Sequence, residues 1–312
     1  MNVAVVAHCD WSMDNKKRWM TVAIRDGLRW KVHAPEMVGD TLTLIDRLQG
    51  RSVENGSLLL GFDFPIGLPQ AYARATELGS FRNALAMFGS GVWSDWYSVA
   101  DHRSRISVHR PFYPARPGGT QRSHLFEALG IVDPLSLLRL CERATAERQA
   151  ACMLFWTLGG NQVGKGAISG WRKVIVPNLS GIGLWPFDGR LADLLAAKPC
   201  VIAETYPGDV YRQLGMPRGG WSKRRQIDRQ RMGREILSWL ASRQGIDAGA
   251  LSPMIDDGFG NDKAGEDRFD SAVGLLGMLD VVDGRRDEGS PDIEAVRQWE
   301  GWILGHHRSG AP

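Results

Sequence analysis

The chain has 312 residues, 43% hydrophobic and 23% charged, enough for one large domain or two ordinary ones with ample side chains for a core. A net charge of +3 neither requires nor opposes a nucleic-acid partner, so the distribution of charge matters more than its sum. No apolar run is long enough to span a bilayer, no basic leader precedes the first strand, and four cysteines without a CxxC pair argue against a disulfide or zinc scaffold, so the expected setting is the reducing cytoplasm.

In chain order, residues 3–8 read as a buried strand and Trp19–Ile24 as a second, with Asp26-Gly27 as a two-residue hairpin signal. Leu28–His33 alternates with period two, so a third strand completes an antiparallel meander. Asp40–Leu48 has helical spacing with Asp40 as N-cap. Leu58–Leu60 is short and continuously apolar, as a strand buried on both faces of a parallel arrangement would be. The order β-β-β-α-β is that of the opening half of a ribonuclease H-like fold.

The middle third changes character. Helix-like pieces at Ala71–Leu78, Phe81–Phe88 and Pro134–Leu158 are separated by loops rich in Gly, Pro, Arg and Trp. Strand character returns at Pro199–Ala203, followed by helices at about Asp209–Leu214, up to Ser242, and over Asp267–Val282. The expectation is a single α/β domain over 1–283: a mixed five-stranded ribonuclease H-like sheet flanked by helices, with core halves at about 1–66 and 198–283. A mainly helical insertion occupies 67–197, and 284–312 is a polar tail with one amphipathic piece, Ile293–Leu304.

Carboxylates punctuate this order. Asp10 closes the first apolar run, Asp63 closes Leu58–Phe62, Glu204 follows Cys200–Ala203, and Asp267 and Asp270 open the last helix. A carboxylate at the end of a buried strand is costly unless a cation meets it. If Asp10 and Asp63 end neighbouring parallel strands and the last helix crosses the sheet, Asp267 or Asp270 reaches the same point. Hard divalent cations suit such a set, and two of them about 4 Å apart would serve phosphoryl displacement by water. The plainer alternatives are a Pro-rich turn capped by Asp63, helix N-terminal roles for Asp267 and Asp270, and a helix-entry role for Glu204 with Asp209 as cap.

Asp10 after a strand, Gly61-Phe-Asp-Phe-Pro-Ile-Gly-Leu-Pro69, Glu204-Thr-Tyr-Pro-Gly208 and Glu266-Asp-Arg-Phe-Asp-Ser-Ala272 together resemble the family catalogued as domain of unknown function 429. That family is described as a predicted nuclease of ribonuclease H-like fold. The last segment also resembles the closing helix of Holliday-junction resolvases. The resemblance covers roughly 1–70 and 198–283. It implies Asp10, Asp63 and Asp270 as ligands of Mg2+ or Mn2+, with Asp267 and Glu204 as auxiliary catalytic carboxylates. Trp11 departs from the small residue that often follows the first Asp in this superfamily.

Basic residues gather in two places. The segment 101–124 carries five arginines, Arg103 and Arg105 among them, with His102, His109 and His124 interleaved; so long an irregular stretch is functional or mobile. Residues 223–234 hold six cations, including Arg224 and Arg225. Both stretches suit a phosphate-tracking surface, and both also suit a solvated face. Gly159–Lys165 matches the first seven positions of a P-loop, but Gly166 stands where Ser or Thr must reach magnesium. Lys165 then remains a candidate contact for a phosphate or carboxylate. The histidines form no HxxxH or HExxH pair, which argues against a zinc enzyme.

The leading expectation is therefore a divalent-metal-dependent nuclease acting on nucleic acid, or on a small phosphorylated ligand, away from membranes. The alternative is a non-catalytic module of the same fold recognising a small molecule or protein. A phosphotransferase would need two such sheets, and one is apparent.

Overall fold

The computed structural model describes residues 2–52, 56–145, 148–159 and 163–307. They fall into two compact units: 1–63 with 180–184 and 190–288, and 64–179 with 185–189 and 289–312.

The first unit opens with β1 (Val3–Asp10), β2 (Trp19–Asp26), β3 (Arg29–Val32), β4 (Glu36–Met37), α1 (Leu44–Gln49) and β5 (Ser57–Phe62). The second unit then contributes α2 (Gln70–Ala75), α3 (Phe81–Met87), α4 (Ser123–Ala128), α5 (Val163–Gly170) and α6 (Val176–Asn178). The first unit resumes with β6 (Gly183–Leu184), α7 (Leu191–Ala197), β7 (Cys200–Glu204), α8 (Pro207–Gln213), α9 (Gln226–Ala241), β8 (Ile246–Asp247), α10 (Ser252–Asp257) and α11 (Gly265–Val282).

The sheet is mixed, and among the described residues it has eight strands rather than the expected five, in the order β6-β7-β5-β1-β2-β3-β8 with β4 on β2. The three unforeseen strands, β4, β6 and β8, are two residues each, too short for any period-two pattern to show. β1, β2 and β3 are antiparallel neighbours, whereas β5 and β7 run parallel to β1. Strands β1, β5 and β7 read as unbroken apolar runs because helices cover them, and apart from Asp10 all their residues are buried. The β2–β3 turn is Gly27-Leu28, one residue later than expected: Asp26 pairs with Arg29, and Gly27 takes the positive φ of 58°. Helix α1 starts at Leu44 rather than Asp40, whose carboxylate instead accepts from the Leu42 N–H at 3.1 Å and closes a turn ahead of it.

Helix α11 crosses this sheet closely. A Cβ on Gly274 would lie 2.3 Å from the His8 ring, and one on Gly61 would lie 2.5 Å from Met278 Sδ. Both glycines therefore permit the approach of helix to strands. A buried hydrogen bond of 2.8 Å between the Thr21 and Ser271 hydroxyls fixes the helix over β2.

The second unit holds short helices and turns, and no named strand among the described residues. Its centre is aromatic. Trp96 stacks on Phe88 at 3.6 Å and on Trp171 at 5.6 Å, and its indole N–H donates to the Tyr72 hydroxyl at 2.6 Å. The single helix expected over 134–158 does not form; residues 134–137 and 140–142 are 3-10 turns. Buried Arg139 pairs with Glu142 at 2.8 Å and donates to the Glu300 carbonyl at 3.0 Å. Glu300 also accepts from the Gln70 and Leu140 N–H groups, at 3.1 and 2.8 Å. Consequently residues 289–307 are no detached tail: they belong to this unit, with Val296, Trp299, Trp302 and Ile303 buried. Conversely, β6 and α7, expected in the insertion, belong to the first unit.

Candidate active site

The parallel register of β1 and β5 sets Cys9 opposite Phe62, so Asp10 and Asp63 follow at the same ends of adjacent strands. Strand spacing alone places them about 5 Å apart in backbone. Asp63 is anchored by the Trp11 N–H, which donates to Oδ1 at 2.8 Å. The face is set by alternation: Asp10 shares the side of β1 that carries His8, the side α11 covers. From α11, Asp270 and Asp267 approach closely enough to raise the Asp10 pKa by charge repulsion.

Burial comes first among the causes of each shift, and repulsion from neighbouring carboxylates adds to it. Asp10 is held well above the ordinary carboxylate range by burial, then by Asp63, Asp270 and Asp267. Burial pushes Asp63 up to about 7, against the opposing pull of the Trp11 N–H. Asp267 rises to about 6 through burial and its neighbours Glu266 and Asp270. Asp270, only 4% exposed, is raised by burial despite the lysine beside it.

That lysine is Lys223, which in the sequence stands only as the first cation of a basic stretch. Its ammonium forms a close ion pair with Asp270 and a second one with Glu266 at 3.1 Å. Burial alone would lower its pKa, but Asp270 and Glu266 outweigh burial and raise it. The surroundings hold it in place. Buried Arg229 of α9 donates to the Lys223 carbonyl at 2.5 Å and to Gly258 and Gly260 carbonyls at 2.7 and 2.6 Å, while Asp228 accepts from the Ser222 N–H at 2.9 Å. Tyr211 on α8 donates to the other Asp270 oxygen, and its ring meets Trp221 at 5.2 Å and Phe269 at 5.8 Å. Burial, then Asp270, raises the Tyr211 pKa and keeps the phenol neutral.

Asp10, Asp63, Asp267 and Asp270 are thus electrostatic neighbours. Among the described residues, however, no group of three or more His, Cys, Asp or Glu stands in an arrangement ready to hold a metal ion. Glu204 is not brought to the same face: it pairs with Phe62, the residue before Asp63, so alternation turns its buried side chain to the other side of the sheet.

The cationic candidates are more engaged than the sequence suggested. Arg225 pairs with Asp228 at 2.6 Å and Arg224 with Glu266 at 3.8 Å, although both are largely exposed. Arg103 and Arg105 are exposed on a 3-10 turn of the second unit, capped by the His102 ring. Nearby, His109 packs on Trp93 at 4.5 Å and His124 Nδ1 bonds the Tyr113 hydroxyl at 3.0 Å, so these two histidines serve packing. Lys165 lies on α5; residues 160–162 of the Gly-rich segment before it lie outside the described residues.

Comparison with protein-family models, with curated proteins and with solved structures finds no match to this chain. Among the described residues no helix is long and apolar enough to cross a membrane.

Proposed function

We infer that the first unit is a divalent-metal-dependent phosphodiesterase of ribonuclease H-like type, with nucleic acid as the leading substrate. The observation that carries this reading is the placement of Asp10 and Asp63 at the ends of adjacent parallel strands, with Asp270 and Asp267 raising the Asp10 pKa from α11. The β3-β2-β1-β5-β7 order and the short boxes resembling the domain of unknown function 429 family support it as well.

The donor set suits a hard cation: four carboxylates repel one another, and the Lys223 ammonium, paired with Asp270, offsets only part of that charge. Asp10, Asp63 and Asp270 would hold the ion or ions. When bound, such an ion supplies Lewis acidity and charge neutralisation at a phosphodiester. The chain's own residues do the rest. Asp267, with a pKa of about 6, can take or give a proton near neutrality. Lys223 and Tyr211 orient the Asp270 carboxylate. Because Glu204 projects to the other face, its part is to support the strand end.

Lys223 also favours a second reading, a non-catalytic binding module, since its ammonium already neutralises part of the carboxylate charge. Incubating labelled single-stranded, duplex and junction oligonucleotides with the protein and manganese separates the two. Cleavage that chelator and Asp10→Asn both abolish is the expected result; intact substrate in every case favours the module.

A further inference from the structure

The second unit contains a cavity of about 300 Å3, within the range of small-molecule sites. One wall is aromatic: Phe88, stacked on Trp96 at 3.6 Å, with Tyr97 edge-on to Trp96 at 5.0 Å. Ser94, Ser98 and Arg172 supply polar groups, and among the described residues that line the cavity none is acidic.

Two features shape this cavity. Tyr97 lines it, but its hydroxyl is buried out of reach of any occupant, so Tyr97 contributes apolar wall. Arg172 is carried on a π-helical stretch, Trp171–Ile175, a distortion frequent at functional sites, and its guanidinium lies 5.5 Å from the Tyr97 ring centre. Gly89, with φ of 88°, lines the rim, where a Cβ would come within 3.2 Å of the Tyr97 ring.

We propose that this cavity binds a phosphate monoester, with Arg172 and the hydroxyls of Ser94 and Ser98 meeting the phosphoryl oxygens and Phe88, Tyr97 and Val176 covering the organic group. A phosphoryl group offers three terminal oxygens and up to two negative charges, so it satisfies more of these donors than a carboxylate can. The phosphate occupies only part of the volume, which leaves room for an organic group against the apolar wall. The site is separate from the carboxylate set and does not depend on the reading given for it.

Calorimetric titration with phenyl phosphate tests this, using inorganic phosphate, benzoate and phenol as comparison probes. Phenyl phosphate should bind the wild-type protein at millimolar concentration or below, more tightly than the other three. Arg172→Gln should weaken it by about tenfold, the loss of a hydrogen bond to a charged group, and Ser98→Ala by severalfold. Because Arg172 is exposed, the ligand-free melting point of Arg172→Gln should be unchanged, which keeps the binding result free of folding effects. Absence of phenyl phosphate binding, wild-type affinity in both variants, or benzoate or phenol binding as tightly would overturn the proposal.

Discussion

Lys223 and Asp270 form an ion pair of unequal partners: the carboxylate side chain is 5% exposed and the lysine side chain 38%. The buried member depends on the exposed one, because an isolated carboxylate at that depth has few other ways to keep its charge. Tyr211 supplies a hydrogen bond but no positive charge.

Removing the lysine head group should therefore expose the carboxylates to one another. Lys223→Met is expected to lower stability without metal by about 1–2 kcal/mol, less than a fully buried pair would lose because the lysine is partly solvated. Manganese should then raise the melting temperature of the variant more than that of the wild type, since the ion no longer competes with the ammonium. Melting curves with and without manganese check this. Equal manganese shifts in both proteins would remove the idea that ammonium and metal compete for Asp270.

Asp10 gives the opposite sign. Its folded pKa lies above the unfolded value, as does that of Asp63, raised from 3.8 to about 7. Groups of this kind bind more protons folded than unfolded, so their favourable contribution is complete below the unfolded pKa and is lost as pH rises through the folded one. Stability without metal should fall between about pH 4 and 7, a window set by Asp63. Asp10→Asn removes one of the repelling charges. It should raise metal-free stability at pH 8 by on the order of 1 kcal/mol, and by less at pH 5, while abolishing manganese-dependent hydrolysis. Denaturant melts at the two pH values measure the first effect, and a variant less stable than wild type at pH 8 would refute it.

The strand-end carboxylates were legible because each sits directly after an apolar run, and the meander and α11 showed clear periodicity. Asp270 could be paired with Asp267 on a helix three residues apart. Lys223 could not be paired with Asp270: the contact spans 47 positions and depends on Arg229 folding the intervening loop. Glu204 looked equivalent to Asp63 because both end apolar runs, yet a register offset of one residue turns it to the opposite face. In the second unit, the leucines after Pro134 have helical spacing, yet the segment forms two 3-10 turns around the buried Arg139–Glu142 pair, which no local pattern reveals. The aromatic residues there are far apart in sequence and meet only in the fold, as Trp96 and Trp171 do.

The contact between α11 and β1 offers a purely structural test. Gly274→Ala places a methyl 2.3 Å from the buried His8 ring, which cannot move without disturbing the sheet. Overpacking of this kind costs about 1–3 kcal/mol, and the carboxylates of α11 should shift with the helix. The variant is expected to melt lower and to lose activity even though no carboxylate is changed. Wild-type stability in Gly274→Ala would show that α11 does not lie on β1 as described.

The basic segments can be separated by salt dependence. Arg103 and Arg105 are exposed on the second unit, whereas Arg224 and Arg225 share their charge with Glu266 and Asp228. Phosphate contacts release counterions, so each lost contact lowers the log–log salt slope of binding by roughly 0.7 to 0.9, depending on strandedness. Replacing Arg103 and Arg105 by Ala should flatten the slope by nearly the full amount for two contacts. Replacing Arg224 and Arg225 should flatten it less, because their exposed charges are already partly paired. Neither double variant should alter manganese binding at Asp10 and Asp63, since none of the four arginines is among the charges that shift those two carboxylates. Binding isotherms for a labelled single strand and a duplex across a salt series make the comparison. If the slopes of both double variants equal that of the wild type, these arginines form a solvated face, and the carboxylate set serves a small phosphorylated substrate instead.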